Sequence, residues 1–200
     1  MSTQPLHPQA PDISTLLSAD GDPNLIRSVF GCFPTGVAAV TAVTEDGPAV
    51  LVASSFQVGI SLDPPLVLFA VQHTSTSWPR IRRAERIGVS VLSAAHKENA
   101  LMLSRRGADR FAGVETVTSP TGAIFIRGAS AWLETSIFSE IPAGDHDVVL
   151  LRAHGIGMKP ERDPLIWLGS SFRALVNRTD VDSPSATTIS SNAGKTSVRV

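Results

Sequence analysis

Residues Gly36–Ser55 read GVAAVTAVTEDGPAVLVASS. Two runs rich in Val, Ala, Leu and Thr, Gly36–Thr44 and Pro48–Ser55, flank Glu45-Asp46-Gly47. Such residues suit a pleated, buried surface, and Asp-Gly signals a hairpin because Gly accepts positive φ. The apolar positions do not alternate cleanly with polar ones, so both strands are expected to be covered on both faces. Working outward, Pro65–Gln72 is a further buried run behind the Asp63-Pro64-Pro65 stop. Ile87–Leu92, Ile124–Thr135, Asp147–Gly157 and Leu165–Leu168 also read as strands. Three stretches read as helices: Pro23–Cys32, with Leu25, Val29 and Cys32 on one face; Thr74–Ala84, with Pro79 in its first turn; and Ala94–Arg105, with Leu101 and Met102 on its apolar stripe. Many strands at short spacing with few helices predict a mainly β fold, a closed barrel rather than an α/β sheet.

The chain has 200 residues, 42 % hydrophobic and 18 % charged. One domain of that size buries about two-thirds of its unfolded surface. It is expected at residues 23–177, between polar segments at 1–22 and 178–200 that cannot bury enough apolar surface to become ordered and read as mobile. With 17 Lys+Arg against 18 Asp+Glu there is no positive excess of the kind a dedicated nucleic-acid binder carries. The longest apolar run, Leu66–Val71, is far too short to span a bilayer. No Lys or Arg precedes Arg27, and no apolar leader follows the N-terminus, so a cytoplasmic protein is expected. The single cysteine, Cys32, excludes an internal disulfide framework and fits a reducing compartment.

Several chemistries fail on context. Gly155-Ile156-Gly157 lacks the third glycine of a dinucleotide fingerprint, and Pro160 stands where a helix should continue. There is no phosphate-binding Gly-rich loop ending in Lys, no Gly-x-Ser-x-Gly and no Cys-x-x-Cys. His7, His73, His96, His146 and His154 show no close ligand spacing, so no metal site is expected.

Four constellations remain. Ala53-Ser54-Ser55-Phe56 ends a buried strand with two hydroxyls that can meet a phosphate or a polar ring edge; a plain strand end would look the same. Thr74-Ser75-Thr76-Ser77-Trp78 leads into Arg80, Arg82, Arg83 and Arg86, which suits either anion binding at a helix start or an ordinary cap before a solvated basic face. Gly144-Asp145-His146 precedes an apolar strand, as a simple turn or as a ligand-facing histidine. Phe33-Pro34-Thr35-Gly36-Val37 is a rigid strand entry or a ligand-facing edge.

In this order the four resemble the flavin reductase family, the small NAD(P)H:flavin oxidoreductases that serve two-component monooxygenases. The stretches that carry the likeness are Phe30–Val37, Ala53–Phe56, Ile60–Val67, Ser75–Pro79, Arg110–Gly113, Gly144–Asp147 and Asp163–Ile166. The resemblance implies an FMN-binding split β-barrel that forms a homodimer, with flavin in a groove near the subunit interface. It implies that Pro34, Thr35 and Gly36 lie near the flavin. Ala53, Ser54 and Ser55 would meet the isoalloxazine edge and ribityl chain, and Ser61, Ser75 and Ser77 the ribityl–phosphate end. Asp145 and His146, from the Gly-Asp-His motif, would be the catalytic pair, with His146 positioning the nicotinamide or touching the flavin. Ser90 stands in the cofactor-binding set where family members usually carry Asn, and Glu134-Thr135 replaces the usual Glu-Cys.

The implied reaction is hydride transfer from C4 of NADH or NADPH to N5 of FMN or FAD, with the rings stacked at about 3–3.5 Å and water excluded. A side-chain nucleophile is not required. Reduced flavin would pass to a separate oxygenase. Two other readings share the fold: an oxidase acting on its own small substrate with bound FMN, and a flavin carrier or sensor without reductase activity.

Overall fold

Strands dominate the computed structural model, which describes residues 16–107 and 109–175. In chain order they are β1 (Thr35–Gly36), β2 (Ala38–Thr44), β3 (Gly47–Ala53), β4 (Gln57–Leu62), β5 (Pro65–Gln72), β6 (Ile87–Val91), β7 (Thr116–Thr118), β8 (Ile124–Ile126), β9 (Ala131–Ala143), β10 (His146–Met158), β11 (Ile166–Leu168) and β12 (Ser171–Arg173). Helices are α1 (Pro23–Phe30), α2 (Trp78–Ile81) and α3 (Lys97–Leu103), with a 3-10 turn at Ala94–His96. The C-terminal segment expected at 178–200, and the N-terminal segment up to residue 15, lie outside the described residues.

The β2–β3 hairpin forms as the sequence predicts, in unbroken register from Ala38↔Ala53 to Thr44↔Gly47. Glu45-Asp46 make the turn, and Gly47 opens the returning strand at φ 90°, a conformation that a Cβ would penalise. Every residue from Ala38 to Ala42 is buried. One face of β2 packs Ala38 and Val40 with Phe69, Ile87, Val89 and Leu151. The other packs Ala39 with Val50, Leu92, Leu103 and Ile126. Two cores on one strand explain why its apolar residues do not alternate.

The large sheet runs β3-β2-β6-β9-β10-β5-β4, and β1-β11-β12 form a small second sheet. β3 and β4 stand at opposite ends of the order without pairing, so the barrel is split, as the family resemblance implies, and not closed as strand spacing alone suggests. The edges still meet at a corner. Only Ser54, Ser55 and Phe56 separate Ala53 from Gln57, a span that covers at most about 14 Å. The Ser55 hydroxyl closes this corner: Oγ donates to the Ala70 carbonyl at 3.0 Å and accepts from the Ala70 N–H at 3.0 Å.

Four further expectations change. Ile124–Thr135 is not one strand. β8 pairs back on β7, and the chain turns at Gly128, φ 84°, before β9. The helix over Ala94–Arg105 begins as a 3-10 turn, which shifts the phase of the stripe, so Ala100 and Leu103 are buried while Leu101 is exposed. α1 is capped by the Asp22 side chain and opened by Pro23, yet buries none of its residues. β4 is a strand the expectations above do not contain; its apolar Val58, Ile60 and Leu62 alternate along it, with Gly59 at φ 76° in its middle.

Gly88 on β6 is where the two layers touch most closely. A Cβ there would stand 2.0 Å from the Ile124 carbonyl oxygen, and that oxygen also accepts from the buried Thr41 hydroxyl at 2.5 Å. Backbone blocks the space, so no side-chain rotation relieves it. Gly88→Ala should therefore destabilise the fold by about 3 kcal/mol or more, read as a fall in the urea midpoint at unchanged slope.

Candidate functional site

The split corner opens a groove of about 490 Å³. Cavities of about 300–1,000 Å³ hold small molecules and cofactors. One wall is the end of β3 with Ala53, Ser54 and Ser55, and the facing wall is the end of β5 with Ala70, Val71 and Gln72. The loop Thr74–Ser77 crosses the groove, Ser104, Arg106 and Arg110 descend from the end of α3, and His146 enters from the start of β10.

The hydroxyl loop is built differently from the expected helix start. α2 spans only four residues, too short to supply an appreciable dipole, and Ser77 at its N-cap makes no side-chain cap. The Ser77 hydroxyl instead accepts from Arg110 Nη1 at 2.7 Å, while Ser75 Oγ accepts from the Trp78 N–H at 3.2 Å. The same Arg110 nitrogen donates to the Val50 carbonyl at 3.0 Å. Arg110 thus ties the loop after α3 to β3 and to the hydroxyl loop. Neither Arg110 nor Arg106 forms an ion pair among the described residues, so the groove keeps two uncompensated positive charges.

The arginines that follow the hydroxyl loop in sequence do not line the groove. Arg82 pairs with Glu140 at 2.5 Å. Arg80 donates to Thr44 Oγ1 at 3.3 Å and to the Asp46 carbonyl at 3.1 Å. Arg86 pairs with Glu85 at 3.5 Å. The sequence leaves these residues between an anion site and a solvated basic face; the structure gives Arg80, Arg82 and Arg86 other partners. Arg106 and Arg110 were missed as site residues, although Arg110-Phe111-Ala112-Gly113 was among the matching stretches.

At the other end, His146 Nδ1 lies 2.7 Å from Asp145 Oδ1. A carboxylate only accepts, so Nδ1 carries the proton and Nε2 remains for a ligand. The hydrogen bond from His146, aided by its charge when protonated, holds the Asp145 carboxyl below the ordinary aspartate range. Beside it, His73 Nε2 lies 3.2 Å from Asp147 Oδ1, and the His73 N–H donates to the Asp145 carbonyl at 3.1 Å. Both contacts lock the β5 end against the β10 start.

Of the residues singled out from the sequence, Ala53, Ser54, Ser55, Ser75, Ser77 and His146 line this groove, and Asp145 is bonded to His146. Pro34, Thr35 and Gly36 lie apart from it, at β1, where Thr35 pairs with Trp167 and Gly36 with Ile166. Ser61 lies on β4 opposite Leu66, also outside the lining. Ser90 is fully buried on β6, outside the lining of the groove, and its Oγ accepts from the Ile126 N–H at 2.9 Å.

These features fit a flavin: hydroxyls on two loops for a polar chain, two guanidiniums for phosphate, and a histidine at the far end. The comparisons agree. A flavin reductase like domain matches residues 30–176. A flavin reductase of Pseudomonas putida is 36 % identical over 151 residues, covering 76 % of this chain and 89 % of its own. The reductase subunit of a flavin-dependent monooxygenase from Rhodococcus jostii is 32 % identical over 163 residues, covering 82 % and 83 %. Among solved structures, the NADH:FAD oxidoreductase of Streptomyces globisporus superposes with a TM-score of 0.74 at 34 % identity, covering 81 % of this chain and 98 % of its own. That enzyme has also been solved with NAD and FAD fragments. With its split sheet, its hydroxyl-lined groove and a match across nearly the whole described domain, this chain belongs to the flavin reductase family.

Proposed function

We propose that the protein uses NADH or NADPH to reduce FMN or FAD and delivers the reduced flavin to a separate monooxygenase. The observation that carries this is the groove itself, which brings Ser54, Ser75, Ser77, Arg106, Arg110 and His146 from four parts of the chain to one cleft. Relatives named as flavin reductases and as monooxygenase reductase subunits support it.

Flavin supplies the hydride-accepting ring when bound; the protein supplies place and charge. Ser54 and the loop Thr74–Ser77 present hydroxyls to the polar chain, and Arg106 and Arg110 offer charge to one phosphate or two. His146, with Nδ1 held by Asp145, keeps Nε2 as an acceptor for the nicotinamide carboxamide. The β5 and β10 ends that carry these groups are mutually hydrogen-bonded, which keeps the cleft geometry fixed. Ser55 acts as the corner clamp, its hydroxyl already committed to Ala70.

The working unit in this reading is a cytoplasmic homodimer. Val29 and Phe30 on α1, and Val58 and Leu62 on β4, are more than half exposed, which leaves apolar surface for a second copy. No helix among the described residues is long and apolar enough to cross a membrane.

The deciding experiment is NAD(P)H oxidation by the purified protein, followed by absorbance, with FMN or FAD added in turn. Oxidation that saturates with one flavin and one nicotinamide is expected and fixes both preferences. Flavin binding without oxidation would overturn the reading in favour of a carrier. Oxidation of a small organic substrate by bound FMN, without free flavin, would favour an oxidase.

A further inference from the structure

A second cavity, of about 570 Å³, lies between the β7–β8 hairpin, the start of β9 and the loop before β11. Glu115, Val117, Phe125, Ile126, Arg127, Gly128, Trp132 and Arg162 line it, and it shares no residue with the flavin groove. We propose that this cavity binds a small aromatic carboxylate.

The cavity is shaped by specific contacts. Trp132 Nε1 donates to the Ile126 carbonyl at 2.8 Å, which fixes the indole plane. Gly157 stands opposite Trp132 on β10, where a Cβ would sit in ordinary contact with the indole, 3.6 Å away. Gly128, at φ 84°, lets Arg162 come close to the main chain: a Cβ would lie 2.7 Å from Arg162 Nη1. The Arg127 main chain is held on both sides, its N–H donating to the Glu115 carbonyl at 2.9 Å and its carbonyl accepting from His96 Nε2 at 2.9 Å.

The lining therefore offers two guanidiniums, one carboxylate and the aromatic rings of Trp132 and Phe125. Neither arginine forms an ion pair among the described residues. Guanidinium forks match a carboxylate in two-point hydrogen bonds, and guanidinium and indole faces both stack on flat rings. Glu115 adds an acceptor for a ring hydroxyl. The combination favours a flat anion over an aliphatic one of equal charge.

The test is calorimetric titration of the purified full chain with benzoate, and with hexanoate as the aliphatic acid of similar size. Benzoate is expected to bind, to be about tenfold tighter than hexanoate, and to lose about tenfold in affinity in Arg162→Gln. Saturating flavin should leave benzoate affinity unchanged, which separates this cavity from the groove. Arg127→Gln is the second variant and should weaken binding similarly at an unchanged melting temperature. Absence of benzoate binding, equal binding of hexanoate, indifference to both arginine substitutions, or displacement by flavin would each overturn the proposal. None of these results depends on whether NAD(P)H is oxidised.

Discussion

Replacing Arg110 by Gln should raise the flavin concentration for half-maximal NAD(P)H oxidation by about ten- to a hundredfold, with turnover at saturating flavin nearly unchanged. Hydrogen bonds to charged groups contribute about 1.5–3 kcal/mol, and each 1.4 kcal/mol is about tenfold in affinity. Arg110 stands half-buried in the groove wall, is anchored at Val50 and Ser77, and has no carboxylate partner among the described residues. Its charge is thus fixed in place before a ligand arrives, and a phosphate would meet it at little entropic cost. Arg110→Lys keeps the charge but not the Nη1 that holds both Ser77 and Val50, so it should recover part of the loss. Ser77→Ala should cost less than Arg110→Gln, because it removes a neutral acceptor and leaves the guanidinium. Binding can be read by quenching of flavin fluorescence and stability by thermal melting. If Arg110→Gln lowers the melting temperature while flavin affinity stays the same, the residue braces the loop and does not hold the ligand. Raising the salt concentration should weaken flavin binding in the wild type more than in the variant.

How much of this was legible in the sequence follows from what local patterns encode. The β2–β3 hairpin was readable because its turn chemistry and its apolar runs agree, and the buried face on each side explained the missing alternation. β4 was passed over although Val58, Ile60 and Leu62 alternate with Gln57, Gly59 and Ser61; the run is short, holds a Gly in its middle, and gains its place by pairing with β5. The hydroxyl-bearing loops after β3 and β5 were found because Ser and Thr cluster locally. Arg110 escaped for the opposite reason: it stands 33 residues from Ser77 and 60 from Val50 along the chain. Arg80 and Arg82 are near Ser77 in sequence, but Thr44, Asp46 and Glu140 claim them, contacts only the sheet register creates. Ser90 shows the same limit from another side. Its position on β6 was correctly placed in a strand, but which face of a doubly covered strand a hydroxyl meets cannot be read from spacing alone. The split came from the family resemblance, because strand count and spacing do not say whether the last edges pair.

Changing His146 to Ala should lower turnover by about ten- to a hundredfold while leaving flavin affinity within about twofold of the wild type. Misplacing reactants by about 1 Å already costs a rate of this order, and a residue that orients the nicotinamide acts through that distance. The fold should survive, because His146 contributes its backbone to the β5 and β9 ladders, opposite Gln72 and Ala143, and neither pairing uses the imidazole. Loss of flavin binding in proportion to turnover would place His146 with the flavin instead. Unchanged turnover would remove it from the reaction. Asp145 supplies an independent readout. Its carboxyl is held below the ordinary aspartate range chiefly by the hydrogen bond from His146. A carboxylate with a depressed folded-state pKa favours the folded pair above the ordinary aspartate range, and that contribution disappears as the pH falls through the lowered value. Carbon-detected NMR should therefore show Asp145 titrating at lower pH in the wild type than in His146→Ala, where the midpoint returns toward the ordinary range. Asp145 is largely exposed, so high salt should narrow this gap. Asp145→Asn keeps an acceptor for Nδ1 but loses the charge. If Asp145 serves to hold the imidazole in one orientation, this variant should keep more turnover than His146→Ala, and Asp145→Ala should fall between the two.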